Sequence, residues 1–129
     1  MRSPALVALA VVLAGCNGGT VDRHALTNDA STLDSIACEG ALLAHDVSKG
    51  ASTKYFARVH SDALRAQASH LADALSERPT SPGLERRVRA KAKDASAVAS
   101  VLSRLHHNPT DRERAARAER ALDRARKCP

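Results

Sequence analysis

Leu33-Asp34-Ser35-Ile36-Ala37-Cys38-Glu39-Gly40-Ala41-Leu42-Leu43-Ala44-His45-Asp46-Val47 carries apolar or small residues at Leu33, Ile36, Ala37, Gly40, Leu43, Ala44 and Val47. Spacings of three and four place all seven on one stripe of an α-helix. Ser31 with Asp34 reads as the N-terminal cap of this first helix, and Gly50 reads as its stop. Cys38, Leu42 and His45 flank the stripe, near enough to an interface to meet another helix.

The same periodicity recurs downstream. A second helix is expected from Ser52 or Thr53 to about Arg78, with Phe56, Val59, Ala63, Leu64, Leu71, Ala74 and Leu75 as its apolar arc; Pro79 and Pro82 disfavour continuation. A third begins with Ser81 as cap and Pro82 in the first turn, where a missing backbone donor does no harm. Its stripe is Leu84, Val88, Ala95, Val98, Ala99, Leu102 and Leu105, ended by Asn108-Pro109. Thr110 with Glu113 repeats the capping pattern for a fourth, with Ala115, Ala118, Ala121, Leu122 and Ala125 inside. A chain of 129 residues with only 2% aromatic residues excludes a large enzyme, and its Ala-rich apolar content suits close-packed helices better than a β-sandwich. Short connections leave neighbouring helices antiparallel, which predicts an all-α, up-down-up-down four-helix bundle.

Upstream, Met1 and Arg2 precede an apolar run from Ala5 to Ala14 that is too short to span a bilayer. It is followed by Leu13-Ala14-Gly15-Cys16, which resembles the lipobox of bacterial lipoproteins. The resemblance implies a signal peptide over residues 1–15, cleavage after Gly15, a diacylglyceryl thioether on Cys16 and acylation of the new amino terminus, by palmitate among other fatty acids. Lipid chains acting together hold a protein on a membrane without spanning it. Asn17, where Asp would favour inner-membrane retention in many Gram-negative bacteria, implies an outer-membrane protein facing the periplasm; a Gram-positive cell surface is the alternative. Residues 16–30, rich in Gly, Asn, Asp and Thr, read as the lipidated Cys and a flexible tether, leaving 31–129 as the helical domain.

With Cys16 lipidated, Cys38 and Cys128 remain in an exported chain, and one disulfide between them would close the bundle. Two buried thiols or a metal pair are the alternatives. Charge is uneven: residues 81–129 carry 13 basic and 6 acidic side chains, against 6 and 8 over residues 16–80. The basic half suits anionic headgroups or an acidic partner. Nucleic acid is not expected, because aromatic residues for base stacking are missing and the compartment is wrong.

Among candidate sites, His60 and Gln67 fall in the arc of the second helix, His70 near its margin, and His106 on the stripe of the third. The set His60, His70 and His106 would be the ligands of a bound metal or haem. Their spacing opposes this, since no pair has the interval that puts two imidazoles on one helical face. Lys91, on the stripe of the third helix, is a buried base or nucleophile in one reading and a side chain that reaches out to solvent in the other. Arg117, Arg120, Arg124 and Lys127 share one side of the fourth helix, with Glu113 and Asp123 spaced to pair Arg117 and Lys127. No serine elbow, phosphate loop or zinc-protease motif is present, so neither catalysis nor a cofactor is expected.

These readings converge on a lipid-anchored helical adaptor that binds another envelope protein, through the basic face or an apolar groove beside Leu122; its oligomeric state is open. In anchor, size, helices and a single disulfide it is similar to the pilotin lipoproteins of type II secretion systems. The alternative is a metal- or haem-binding module.

Overall fold

The computed structural model describes residues 19–125. Four helices, α1 (Arg23–Lys49), α2 (Lys54–Glu77), α3 (Glu85–His107) and α4 (Arg112–Ala125), account for the regular structure there apart from one isolated bridge between Val21 and Thr80. The fold class is all-α, as the periodicity predicts.

Helix α1 begins at Arg23, eight residues before the expected start, so residues 23–30 are its first two turns and not a tether. Asp22 is the cap, its Oδ1 accepting from the Ala25 amide at 2.8 Å. Ser31 lies inside the helix, where its carbonyl accepts from the Ser35 hydroxyl. Thr27 and Thr32 likewise donate to carbonyls four residues back, so their hydroxyls are satisfied within the helix. Val21 and Leu26 are buried and pin the segment to the bundle. The stop at Gly50 is as expected: its φ of 70° is left-handed, and its amide donates to the Asp46 and Val47 carbonyls.

Thr53 caps α2 through Phe56 N, and the helix ends just before Arg78-Pro79. Ser81 and Pro82 precede α3 and do not start it. Residues 81–84 form a turn, with the Leu84 amide donating to the Ser81 carbonyl and Gly83 at φ 88°. At α4 the cap is Asp111, whose Oδ1 accepts from the Arg114 amide at 2.9 Å, and not Thr110.

Packing is most extensive between α2 and α3 and between α1 and α4. His106 Nδ1 on α3 donates to the Arg58 carbonyl near the start of α2. His45 Nδ1 near the end of α1 donates to Glu119 on α4, while Gly40 earlier in α1 meets Leu122 later in α4. Both pairs are therefore antiparallel, and since the end of α1 (Glu39, Leu42, Asp46) lies beside the start of α2 (Phe56, His60), α1 and α2 are antiparallel too, giving the up-down-up-down order. The stripes expected for α1 and α3 are buried throughout. On α4, Ala115, Ala118 and Leu122 are buried, whereas Ala125 is exposed.

Helix α2 needs the main correction. Its inward residues are Ala57, Ser61, Leu64, Ala68, Leu71, Ala72 and Leu75, so the stripe over its first half is displaced from Phe56, Val59 and Ala63. Ala57, Ser61 and Ala68 are 0% exposed. Small side chains there let α2 approach α3 closely, and the bulkier residues turn outward. The buried Ser61 hydroxyl is satisfied by donating to the Ala57 carbonyl at 2.6 Å. No described helix is long and apolar enough to cross a membrane.

Candidate functional site

Where α1 hands over to α2, four large apolar side chains lie at the surface: Leu42 (64% exposed), Tyr55 (79%), Phe56 (53%) and Val59 (50%). The chain has one Phe and one Tyr, and both stand here, in the first turn of α2. The Thr53 cap fixes where that turn starts and so where the two rings project. His60 stacks on Phe56, with ring centroids 5.3 Å apart and an interplanar angle of 15°. Its Nε2 also stands 3.9 Å from Glu39 on α1. Glu39, Leu42, Leu43, Asp46, Phe56 and His60 enclose a depression of about 200 Å³ between the two helices. Aromatic and aliphatic side chains around a small pocket with an acidic edge suit the anchoring of a protein segment. On the adjoining outer side of α2, Arg65 donates through Nε and Nη2 to Asp62 at 3.0 and 2.7 Å and holds that carboxyl below its ordinary value.

Residues 25–127 match the model of the HrpJ-like domain. The chain belongs to the HrpJ-like domain family. That family comes from type III secretion systems, which favours a helical component that interacts with other proteins. No curated protein and no solved structure matches the chain. The HrpJ-like match starts at Ala25, inside the first turns of α1, in accord with their place in the folded domain.

Within the HrpJ-like domain the three candidate histidines do not converge. His60 faces Glu39, His70 is exposed, and His106 is bonded to the Arg58 carbonyl. Gln67, expected in the arc, is also exposed. Among the described residues no group of three His, Cys, Asp or Glu side chains is placed to hold a metal. Lys91 reaches outward, its Nζ 3.5 Å from Asp94. On α4, Arg117 pairs with Glu113 at 2.7 Å, as its spacing predicts, while Arg120 and Arg124 are exposed; Lys127 lies outside the described residues. At the groove expected beside Leu122, Leu122 itself is fully buried against Gly40, and the apolar lining that remains open near it, between α3 and α4, is Leu105, Ala118 and Ala121. What lies open by α4 is a depression of about 220 Å³ edged by Arg104, Arg114 and Arg117. Cys16 and Cys128 also fall outside the described residues, and Cys38 sits part-buried on α1.

The Leu42, Tyr55, Phe56 and Val59 corner was not foreseen from the sequence, which assigned Phe56 and Val59 to the core. A signal for it was present. Ala57, Ser61, Leu64, Ala68, Leu71 and Leu75 follow one another at intervals of three and four, which makes a continuous stripe, small over its first two positions, and leaves Phe56 and Val59 off it.

Proposed function

We propose that this HrpJ-like domain is a lipid-anchored, non-catalytic adaptor that holds a protein of the secretion apparatus through the corner built by Leu42, Tyr55, Phe56 and Val59. The observation that carries this is the exposure of both aromatic rings in a chain whose core is filled by Leu, Val and Ala. Rigid aromatic side chains bury much area at low entropic cost and are enriched at binding hot spots. In this reading Cys16 bears the lipid and the domain faces the periplasm at the outer membrane. Capture of a single apolar segment, as in pilotins, is its finest form.

A Cys38–Cys128 disulfide belongs to the same proposal. What supports the pairing is that Leu122 lies against Gly40, two residues from Cys38, and that α4 runs antiparallel to α1 there. Non-reducing peptide mapping of the exported protein is expected to recover the linked pair.

The adaptor reading is tested with a photoreactive residue at position 55 or at position 120, introduced into the full chain in cells that assemble the secretion system. Position 55 is expected to crosslink to one secretion-system protein, and the product is expected to vanish with Phe56→Ser. Crosslinking from position 120 alone would overturn the corner in favour of the basic face of α4.

A further inference from the structure

At the opposite end of the bundle the segment before α1 is clamped. The Val21 amide donates to the Pro79 carbonyl at 2.7 Å, and the Ser81 amide donates to the Val21 carbonyl at 3.0 Å. Arg78 adds a bond from its Nε to the Gly19 carbonyl at 3.1 Å and an ion pair with Asp29 at 3.4 Å. Gly19 is thus fixed at the turn between α2 and α3. Residue 16 is three residues upstream, and three residues span at most about 11 Å.

Arg78 also lines a depression of about 610 Å³ beside that turn, in company with Arg89, Lys93, Thr80, Ser76 and Glu85. Arg86, Arg89 and Lys93 stand at intervals of three and four and so share one face of α3. All three are exposed, and none has a hydrogen bond or ion pair among the described residues. The two acidic groups in this stretch are otherwise engaged: Glu85 accepts from the Gly83 amide and Asp94 pairs with Lys91. By contrast, two of the arginines on α4, Arg114 and Arg117, are neutralised by Asp111 and Glu113.

We infer that the face formed by Arg86, Arg89 and Lys93, next to the paired Arg78, docks on an anionic phospholipid surface, fixing the domain with its α2–α3 turn towards the membrane and its aromatic corner away from it. The inference rests on the lipid anchor proposed above. A lipid at Cys16 brings the unpaired cations to the headgroups, and cations near an anionic leaflet contribute about a fivefold gain in association each. A lipid chain and a basic patch are the two signals that together make membrane attachment stable and oriented.

The test uses the mature lipidated chain in nanodiscs of neutral phosphatidylcholine, or of phosphatidylcholine with phosphatidylglycerol, labelled with an amine-reactive ester and mapped by mass spectrometry. Lys54, at the start of α2, is the internal reference, because a helix of 24 residues separates the two ends of the bundle by about 36 Å. Labelling of Lys93 relative to Lys54 is expected to slow at least about fivefold in the anionic discs. The slowing is expected to be lost in the variant carrying Arg86→Gln and Arg89→Gln, whose fold is checked by circular dichroism. Equal labelling in both discs on a chain that carries the lipid mass overturns the docking face and favours an acidic protein as its occupant. Absence of diacylglyceryl mass from the intact protein overturns the anchor, and the orientation with it.

Discussion

At Gly40, α1 comes so close to its neighbours that a β-carbon there would stand 2.9 Å from a methyl of Leu102 and 3.1 Å from one of Leu122. Two residues further along the same helix, Leu42 is 64% exposed beside Phe56. The seam around Gly40 is made from the smallest residue and two fully buried leucines, whereas the corner around Leu42 holds both aromatic residues of the chain. Small residues bring helix backbones together and let dispersion and burial accumulate over a long contact. Phe56 and Tyr55 are left at the surface, where the proposed function gives them a partner to contact.

The comparison breaks most visibly at Leu102, which is 0% exposed. Leu102→Ala is expected to destabilise the domain by about 2–5 kcal/mol, through lost burial and the cavity left between three helices, as read by urea denaturation. Gly40→Val comes next. It adds a branched side chain where two methyls already crowd, and overpacking of about 1–3 kcal/mol is expected to exceed the few tenths gained from replacing a helical glycine. A stabilised Gly40→Val protein would show that the seam is looser than the geometry says. At the corner the signs reverse: Phe56→Ala is expected to change stability by less than about 0.5 kcal/mol. Its effect is on partner affinity, expected to fall about tenfold or more by titration with the crosslinked secretion-system protein.

The smallest effect lies on the outer side of α2. The Asp62 carboxyl is held below 3.8 by Arg65, so its folded value is depressed. Its contribution is therefore complete above 3.8 and is lost as pH falls through the folded value. The difference in urea midpoint between Asp62→Asn and the unaltered protein is expected to be small at pH 6 and to shrink as the pH is lowered below 3.8. A difference that widens on acidification would contradict the pair.

Helix punctuation was legible where the residue performs one local task. Gly50 needs its left-handed φ, Thr53 supplies a capping oxygen, and Asn108-Pro109 ends α3 whatever packs around it. The first two turns of α1 were hidden because Thr27, Asn28 and Asp29 look like loop residues. What makes them helical is burial of Val21 and Leu26 against distant chain, with Leu26 seven residues before Leu33 as the one periodic hint. The candidate site was misread at Phe56 and Val59 for a related reason. Periodicity shows that a helix has an apolar side, but it does not say how near the neighbouring helix comes, and the distance between α2 and α3 is what evicts those two side chains. Basic spacing on α4 was read correctly at Arg117, whereas the unpaired cations of α3 became visible only once Glu85 and Asp94 were seen to be engaged elsewhere.

The bridge between Val21 and Thr80 changes where a pull on the amino-terminal end of the domain is felt. Tension entering at Gly19 reaches the two backbone bonds to Pro79 and Ser81 before it reaches the first turn of α1. Those bonds join residues nearly sixty positions apart, so the load passes into the α2–α3 hairpin, the most extensively packed pair in the molecule. The bridge acts as a strain relief of the kind fitted where a cable enters a housing: α1 stays wound under tension until the bridge gives way.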